Sequence, residues 1–251
     1  MTAKEQFTFC VCTYNSAKTL ALCLASIKKV APTSRLVIVD HQSEDETIKI
    51  AQRFGSKIFF ETAGLGYARQ CCFDLAESEY LVFVDSDVEL VRRDFIDIAT
   101  TVLERRGYGA VVGMALGHRF CYGLPASLLV LRKADFLGRV VPAYIDARET
   151  YFIQKRLDEK KLKTYYVLDS MIHRSQFRSF KPEWEGANTR LLPDSKLREL
   201  LFALKVILLL SLNSRNVKNI LYVPMFYVKF LRGFVKPEPW LRMRREVSSE
   251  I

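Results

Sequence analysis

Two carboxylates one residue apart, Asp85 and Asp87, emerge directly behind the apolar run Tyr80-Leu-Val-Phe-Val84. A strand alternates its side chains, so both aspartates can face one way while Ser86 faces the other. Like charges that close repel unless a positive group lies between them, and a hard divalent cation, Mg2+ or Mn2+, bound through oxygen answers that need. The triplet also suits a turn that caps a following helix, because Asp and Ser are ordinary turn residues. Other chemistry-bearing residues recur behind apolar runs: Cys12, Thr13, Tyr14 and Asn15, then Asp40 and His41. Arg69, just inside a helix after Gly64-Leu-Gly66, can turn a fixed positive charge toward the same place. An aromatic ring, carboxylates, a guanidinium and a cation site together suit a nucleoside diphosphate.

For these groups to meet, their strands must be parallel and share one edge. Phe7–Cys12, Arg35–Asp40, Lys57–Phe60 and Tyr80–Val84 read as strands, with helices expected over about 17–29, 44–54 and 67–76 between them. Ser43 and Glu46 have capping-box spacing at the start of the second helix. Strand and helix alternating at this rhythm predict an α/β fold with a mixed, mainly parallel sheet, whose ligands collect outside the carboxyl ends of the strands. Further on, a helix near 94–105, strands near 109–113 and 127–131, a helix near 148–160 and a strand near 163–168 are expected.

The chain of 251 residues is long enough for one sizeable core with an appendage, and 49% of its residues are hydrophobic. Its six cysteines show no C-x-x-C spacing and read as reduced core residues, and the polar N-terminus gives no sign of a signal peptide, so a cytoplasmic protein is expected. Of the net charge of +10, most falls on residues 196–251, with eleven Lys and Arg against four Glu. There Leu200–Leu212 is interrupted by Lys205, and Ile220–Val235 carries Lys229 and Arg232. Both runs are shorter than the ~20 residues a spanning helix needs. Residues 1–190 are therefore expected to form the main domain, and 191–251 an amphipathic helical extension. Apolar faces flanked by Arg242, Arg244 and Arg245 suit the inner face of an anionic membrane. Packing on the main domain, or on a second subunit in a homo-oligomer, would cover the same faces. Basic residues mixed into apolar runs do not make a nucleic-acid surface.

Cys12-Thr-Tyr-Asn15, Val39-Asp-His-Gln-Ser-Glu-Asp-Glu-Thr47, Gly64-x-Gly-x-Ala-Arg69 and Val84-Asp-Ser-Asp87, in this order, resemble the GT-A glycosyltransferases of family 2. The resemblance is good over about residues 5–90, weaker to about 175, and absent beyond. It implies an inverting transferase that takes a sugar from a UDP- or GDP-linked donor. By the same resemblance Tyr14 would meet the base, with Cys12 and Thr13 lining its pocket, Asp40 among the donor-binding residues and Arg69 on the base or diphosphate side. Asp85 would contact ribose or metal, Asp87 would ligate Mg2+ or Mn2+, and His173 would lie near the metal. Arg174, Arg178 and Lys181 would suit a loop that covers phosphate.

The sequence departs from the family in two places. His41 stands where a second Asp commonly reads the base, and either a base contact or a turn role fits it. Arg148-Glu-Thr-Tyr151 resembles the acceptor segment, but Thr150 replaces the usual catalytic Asp, leaving Glu149 as the candidate base with Asp146 behind it. Glu149 would also favour a helix N-terminus electrostatically. A lipid phosphate is already ionised near neutrality and can attack without a base, so the change at Thr150 and the apolar, basic tail together suit a polyprenyl phosphate acceptor. Two alternatives share the fold: a nucleotidyltransferase, and an inactive protein that binds nucleotide sugars. The first usually has a glycine-rich loop after the first strand, which Thr13-Tyr-Asn-Ser16 lacks.

Overall fold

The computed structural model of the chain describes residues 6–175, 181–213 and 217–241. Its first half is a run of strand and helix: β1 (Phe7–Thr13), α1 (Ala17–Val30), β2 (Arg35–Asp40), α2 (Thr47–Arg53), β3 (Lys57–Phe60), α3 (Leu65–Leu75) and β4 (Tyr80–Val84). These strands pair in parallel in the order β3-β2-β1-β4, so their carboxyl ends share one edge. Every residue of β4 is buried, which is why it reads as an unbroken apolar run.

The second half adds β5 (Val88–Leu90), α4 (Phe95–Leu103), β6 (Tyr108–Ala115), β7 (Leu128–Arg132), α5 (Thr150–Glu159) and β8 (Lys163–His173). The full order is β3-β2-β1-β4-β7-β6-β8-β5. β7 runs antiparallel to β4 and β6, β8 runs parallel to β6, and β5 runs antiparallel to β8. Two cores flank this mixed sheet. Tyr80, Val82 and Val84 point to one of them, with Leu24 of α1 and Phe95 of α4. Leu81 and Phe83 point to the other, with Phe73 of α3 and Leu157 of α5. Continuing the alternation sends Asp85 to the side of α3 and α5.

One expected helix start differs. α2 begins at Thr47, not near residue 44, and no capping box forms. Ser43 is drawn back to Asp40 instead, and Asp45 Oδ1 accepts the Thr47 N–H at 2.9 Å.

Beyond β8 come α6 (Pro182–Arg190), α7 (Lys196–Asn213), a 3-10 segment (Val217–Tyr222), α8 (Val223–Val235) and α9 (Glu238–Leu241). Among the described residues no helix is long and apolar enough to cross a membrane. α6 and α8 cross at two glycines: a Cβ on Gly233 would lie 1.8 Å from the Glu183 carbonyl oxygen, and one on Gly186 would lie 2.0 Å from that of Phe230. Those obstacles are backbone and cannot swing aside. Gly233→Ala is therefore expected to destabilise the protein by about 3 kcal/mol, the upper end of overpacking costs, as read by urea unfolding. Glu199, Ala203 and Ile207 are the buried residues of α7, while Leu197, Leu201, Leu204, Leu208 and Leu212 are exposed along another side.

Candidate active site

The parallel strand ends are fastened to one another behind the site. Asp40 is completely buried; its Oδ1 accepts hydrogen bonds from the hydroxyls of Thr13 and Ser43, both at 2.6 Å, and its Oδ2 accepts the Ser43 N–H at 2.7 Å. Asn15, with φ of 47°, donates its N–H to Ser43 Oγ and accepts the Glu44 N–H on its side chain. This lattice lifts Tyr14 clear of the protein. Its ring is 62% exposed and meets the His41 ring edge-on at 5.4 Å. Of the residues expected around a nucleotide, Cys12, Tyr14, His41, Arg69 and Asp85 line the cleft. Thr13 and Asp40 lie behind its wall, because their polar atoms are committed to each other.

His41 is oriented by a residue that the motifs do not mark. Glu61 follows β3 next to Asp40, the last residue of β2, and its nearly buried carboxylate meets His41 Nδ1 at 2.7 Å while accepting the Gly64 N–H at 2.8 Å. The only signal for it in the sequence is an acidic residue at a strand end.

The acidic edge lies beside this wall. Asp85 Oδ1 accepts Arg69 Nη2–H at 2.8 Å, and the guanidinium lies 5.0 Å from the centre of the Phe83 ring. Ser86 points the other way and meets Ser16 Oγ at 2.9 Å, as alternation requires. Asp87 lies 3.4 Å from His173 Nδ1 and also accepts the Ser175 hydroxyl. The two meet because β5, only three residues long, pairs Val88 with His173 of β8. Arg174 donates its N–H to the Asp87 carbonyl and pairs with Glu89, while Arg178 lies outside the described residues.

The cleft adjusts the charge of its groups. Burial works against the charge of Arg69, but the carboxylates of Asp85 and Glu149 oppose it, and the guanidinium is held above its ordinary pKa. The hydrogen bond to Cys72, then burial, keeps the Cys12 thiol well above its usual value, so it presents a neutral wall. His118, which the sequence does not single out, also lines the cleft. Its pKa is lowered by burial and then by the charge of His173.

On the opposite wall Glu149 immediately precedes α5 and makes no side-chain capping bond to it. It turns to Arg69 instead, with 3.7 Å from Oε1 to Nε. Asp146, Arg148 and Thr150 line the cleft with it. The whole cavity measures about 2490 Å3 and continues from the strand ends to α7, where Phe202, Lys205 and Leu210 form its wall.

Among the described residues no three His, Cys, Asp or Glu side chains already converge as a metal cage. Two do stand at ligand spacing. Adjacent ligands of an octahedral ion about 2.1 Å away are roughly 3 Å apart, and Asp87 Oδ1 and His173 Nδ1 are 3.4 Å apart. A Mg2+ or Mn2+ ion that takes its remaining ligands from phosphate and water fits this pair.

The comparisons with known proteins agree with this geometry. Residues 8–125 match the family Glycosyl transferase family 2. Uncharacterized glycosyltransferases of Rickettsia conorii and Rickettsia felis are each 30% identical to the chain over 88 residues, which is 34% of this chain and 30% of each relative's length. Among solved structures, a mannosyltransferase from Pyrobaculum calidifontis in complex with GDP-Man and Mn2+ superposes with a TM-score of 0.64 at 16% identity, covering 91% of this chain and 73% of that one. TarS 1-349 of S. aureus in complex with UDP-GlcNAc gives 0.58 at 16% identity, over 96% of this chain and 88% of that one. Glucosyl-3-phosphoglycerate synthase from Mycobacterium tuberculosis, in complex with Mg2+ and UDP, gives 0.55 at 17% identity, over 70% and 74%. At such identities the likeness is one of fold, and the fold is GT-A. Residues 8–125 thus match glycosyl transferase family 2, and the fold of the chain is that of the GT-A structures.

Proposed function

We propose that the chain moves a sugar, with inversion, from a UDP- or GDP-linked donor to a lipid-linked phosphate such as a polyprenyl phosphate. The observation that carries the donor half is Arg69. Its side chain is 3% exposed and lines the cleft, yet Nε and Nη1 have no hydrogen-bond partner. Buried N–H groups without partners are rare in folded proteins and call for an explanation. A donor diphosphate beside Asp85 supplies acceptors for them.

Each residue then has a task. Tyr14 and His41 hold the base, and Glu61 fixes the His41 ring. Arg69 stabilises the negative charge that grows on the leaving diphosphate, from a site where no solvent reorganisation is needed. Asp87 and His173 would hold Mg2+ or Mn2+, with Asp85 beside them; when bound, the ion neutralises the leaving group as a Lewis acid. Glu149, with Asp146, lines the acceptor side and through its ion pair with Arg69 keeps that guanidinium on the donor; only an attacking hydroxyl would need it as a base. An ionised phosphate has no proton to give up, which suits Thr150 at the usual Asp position.

The acceptor half rests on the C-terminal region. Leu204, Leu208 and Leu212 of α7 are exposed away from the cleft lining, and α8 exposes Val228, Lys229 and Arg232, with Lys236 just beyond it. Such a surface suits peripheral attachment to an anionic membrane at its cytoplasmic face, with 191–251 as the attaching extension of a 1–190 catalytic domain. Arg242, Arg244 and Arg245, expected to strengthen that attachment, lie outside the described residues.

Thermal-shift screening of UDP- and GDP-sugars with and without Mn2+ tests the donor half, because a ligand that binds only the native state raises its stability. Transfer of label to polyprenyl phosphate in anionic vesicles, with release of nucleoside diphosphate, tests the rest. Release of pyrophosphate would point to a nucleotidyltransferase. Transfer only to soluble sugars, without vesicle binding, would sink the lipid acceptor.

A further inference from the structure

The segment that carries Asp146 and Glu149 is held from outside the strand-and-helix core. Asn188 of α6 is completely buried, and its Oδ1 accepts the N–H groups of Asp146 at 3.2 Å and Ala147 at 3.3 Å. Its own Nδ2 donates to the Trp184 carbonyl at 3.0 Å, which sets the direction of the amide. The next residue in that segment, Arg148, has φ of 64°, in the left-handed region that side chains other than glycine rarely adopt. Its guanidinium is gripped three ways. Nη1 donates to Thr189 Oγ1 at 3.0 Å, Nη2 donates to the buried Glu199 of α7 at 2.5 Å, and the Phe202 ring lies 4.7 Å away. Glu149, the following residue, is then aimed at Arg69 across the cleft.

We infer that Arg148 and Asn188 are positioning residues, through which α6 and α7 hold the acceptor-side carboxylates in the cleft. An unfavourable backbone conformation persists only where its surroundings over-determine it, and it concentrates where function needs it. Here the over-determining groups are Thr189, Glu199 and Phe202. If the grip is removed, the backbone at 148 can return to negative φ and swing the peptide that leads to Glu149 away from the donor. The inference rests on the glycosyl-transfer reading for its consequence in catalysis, but not for the clasp itself.

Arg148→Ala and Arg148→Gly separate the two contributions, because glycine accepts the left-handed backbone without the grip. Arg148→Ala is expected to lower kcat ~30-fold, within the range that a misplacement of about 1 Å produces, with KM for the nucleotide sugar unchanged within about twofold. Amide exchange at Asp146 and Ala147 should quicken about tenfold or more in the same variant, since their opening free energy falls. Arg148→Gly should recover at least about fivefold of the lost kcat, because its native backbone is no longer strained. Glu199→Gln, which keeps the buried volume, should shift exchange and kcat in the same direction as Arg148→Ala and guards against a variant that merely fails to fold. Unchanged exchange would overturn the clasp, and quickened exchange with unchanged kcat, or equal kcat in the alanine and glycine variants, would overturn the positioning role. The glycosyl-transfer reading fails separately, if the wild-type protein shows no Mn2+-dependent stabilisation by any nucleotide sugar.

Discussion

Asp87→Ala is expected, on the proposed function, to lower sugar transfer by ~10³-fold or more, since a Lewis-acidic ion would contribute several kcal/mol of transition-state stabilisation. Asp87 is the carboxylate best placed for an ion, because Asp85 already gives one oxygen to Arg69. His173 alone would be a poor ligand set for Mg2+, which prefers oxygen. The fold should survive, for Asp87 is only partly buried and the contacts its side chain gives up, to His173 and Ser175, lie at the rim of the cleft. Steady-state turnover with a Mn2+ titration reads the effect, and the thermal shift given by nucleotide sugar plus Mn2+ should disappear with it. Turnover within about tenfold of wild type at saturating Mn2+ would displace Asp87 from the metal site.

Arg69→Met is expected to damage both stability and donor binding. It removes a buried cation from beside Asp85 and Glu149 and leaves those carboxylates without their common partner. Breaking a buried ion pair by deleting one member costs about 3–5 kcal/mol. Affinity for the nucleoside diphosphate should fall ~100-fold, two charge-assisted hydrogen bonds being lost at about 1.5 kcal/mol each. Arg69→Lys is the informative companion. It restores the charge but not the planar fork, so it should regain more stability than affinity. Urea unfolding and calorimetric titration with the diphosphate measure the two losses separately. Equal recovery of both by lysine would mean that charge alone matters at this position.

The half of the fold nearest the N-terminus is legible because β1, β2 and β4 are buried on both faces, so that composition alone marks them. β4 ends where its apolar run ends, and Ser86 and Asp85 diverge as simple alternation demands. What escapes the sequence is set by distant contacts. β5 has three residues and exists because β8 pairs with it, yet it delivers His173 to Asp87. The capping-box pattern at Ser43 loses to Asp40, whose buried carboxylate needs the donors more than the helix does. The same demand draws Thr13 behind the wall. Glu61 and His118 carry no motif and become visible only when the strand ends and the loop after β6 close around the cleft. The four motifs mark residues at the strand ends around the cleft well. They do not distinguish those that touch the cleft from those that brace it.

The clasp on Arg148 bears on how such a protein can be divided. A chain cut after residue 190, the obvious way to shed an oily tail, would discard Glu199 and Phe202 and release the arginine that they hold. It would also strip α8 from Gly186 of α6, baring the helix that supplies Asn188. Such a truncation would keep the strand ends with Arg69, Asp85 and Asp87 while losing its hold on the segment that carries Asp146 and Glu149. Replacing α7 and α8 by another segment would require that segment to bring its own partner for Arg148.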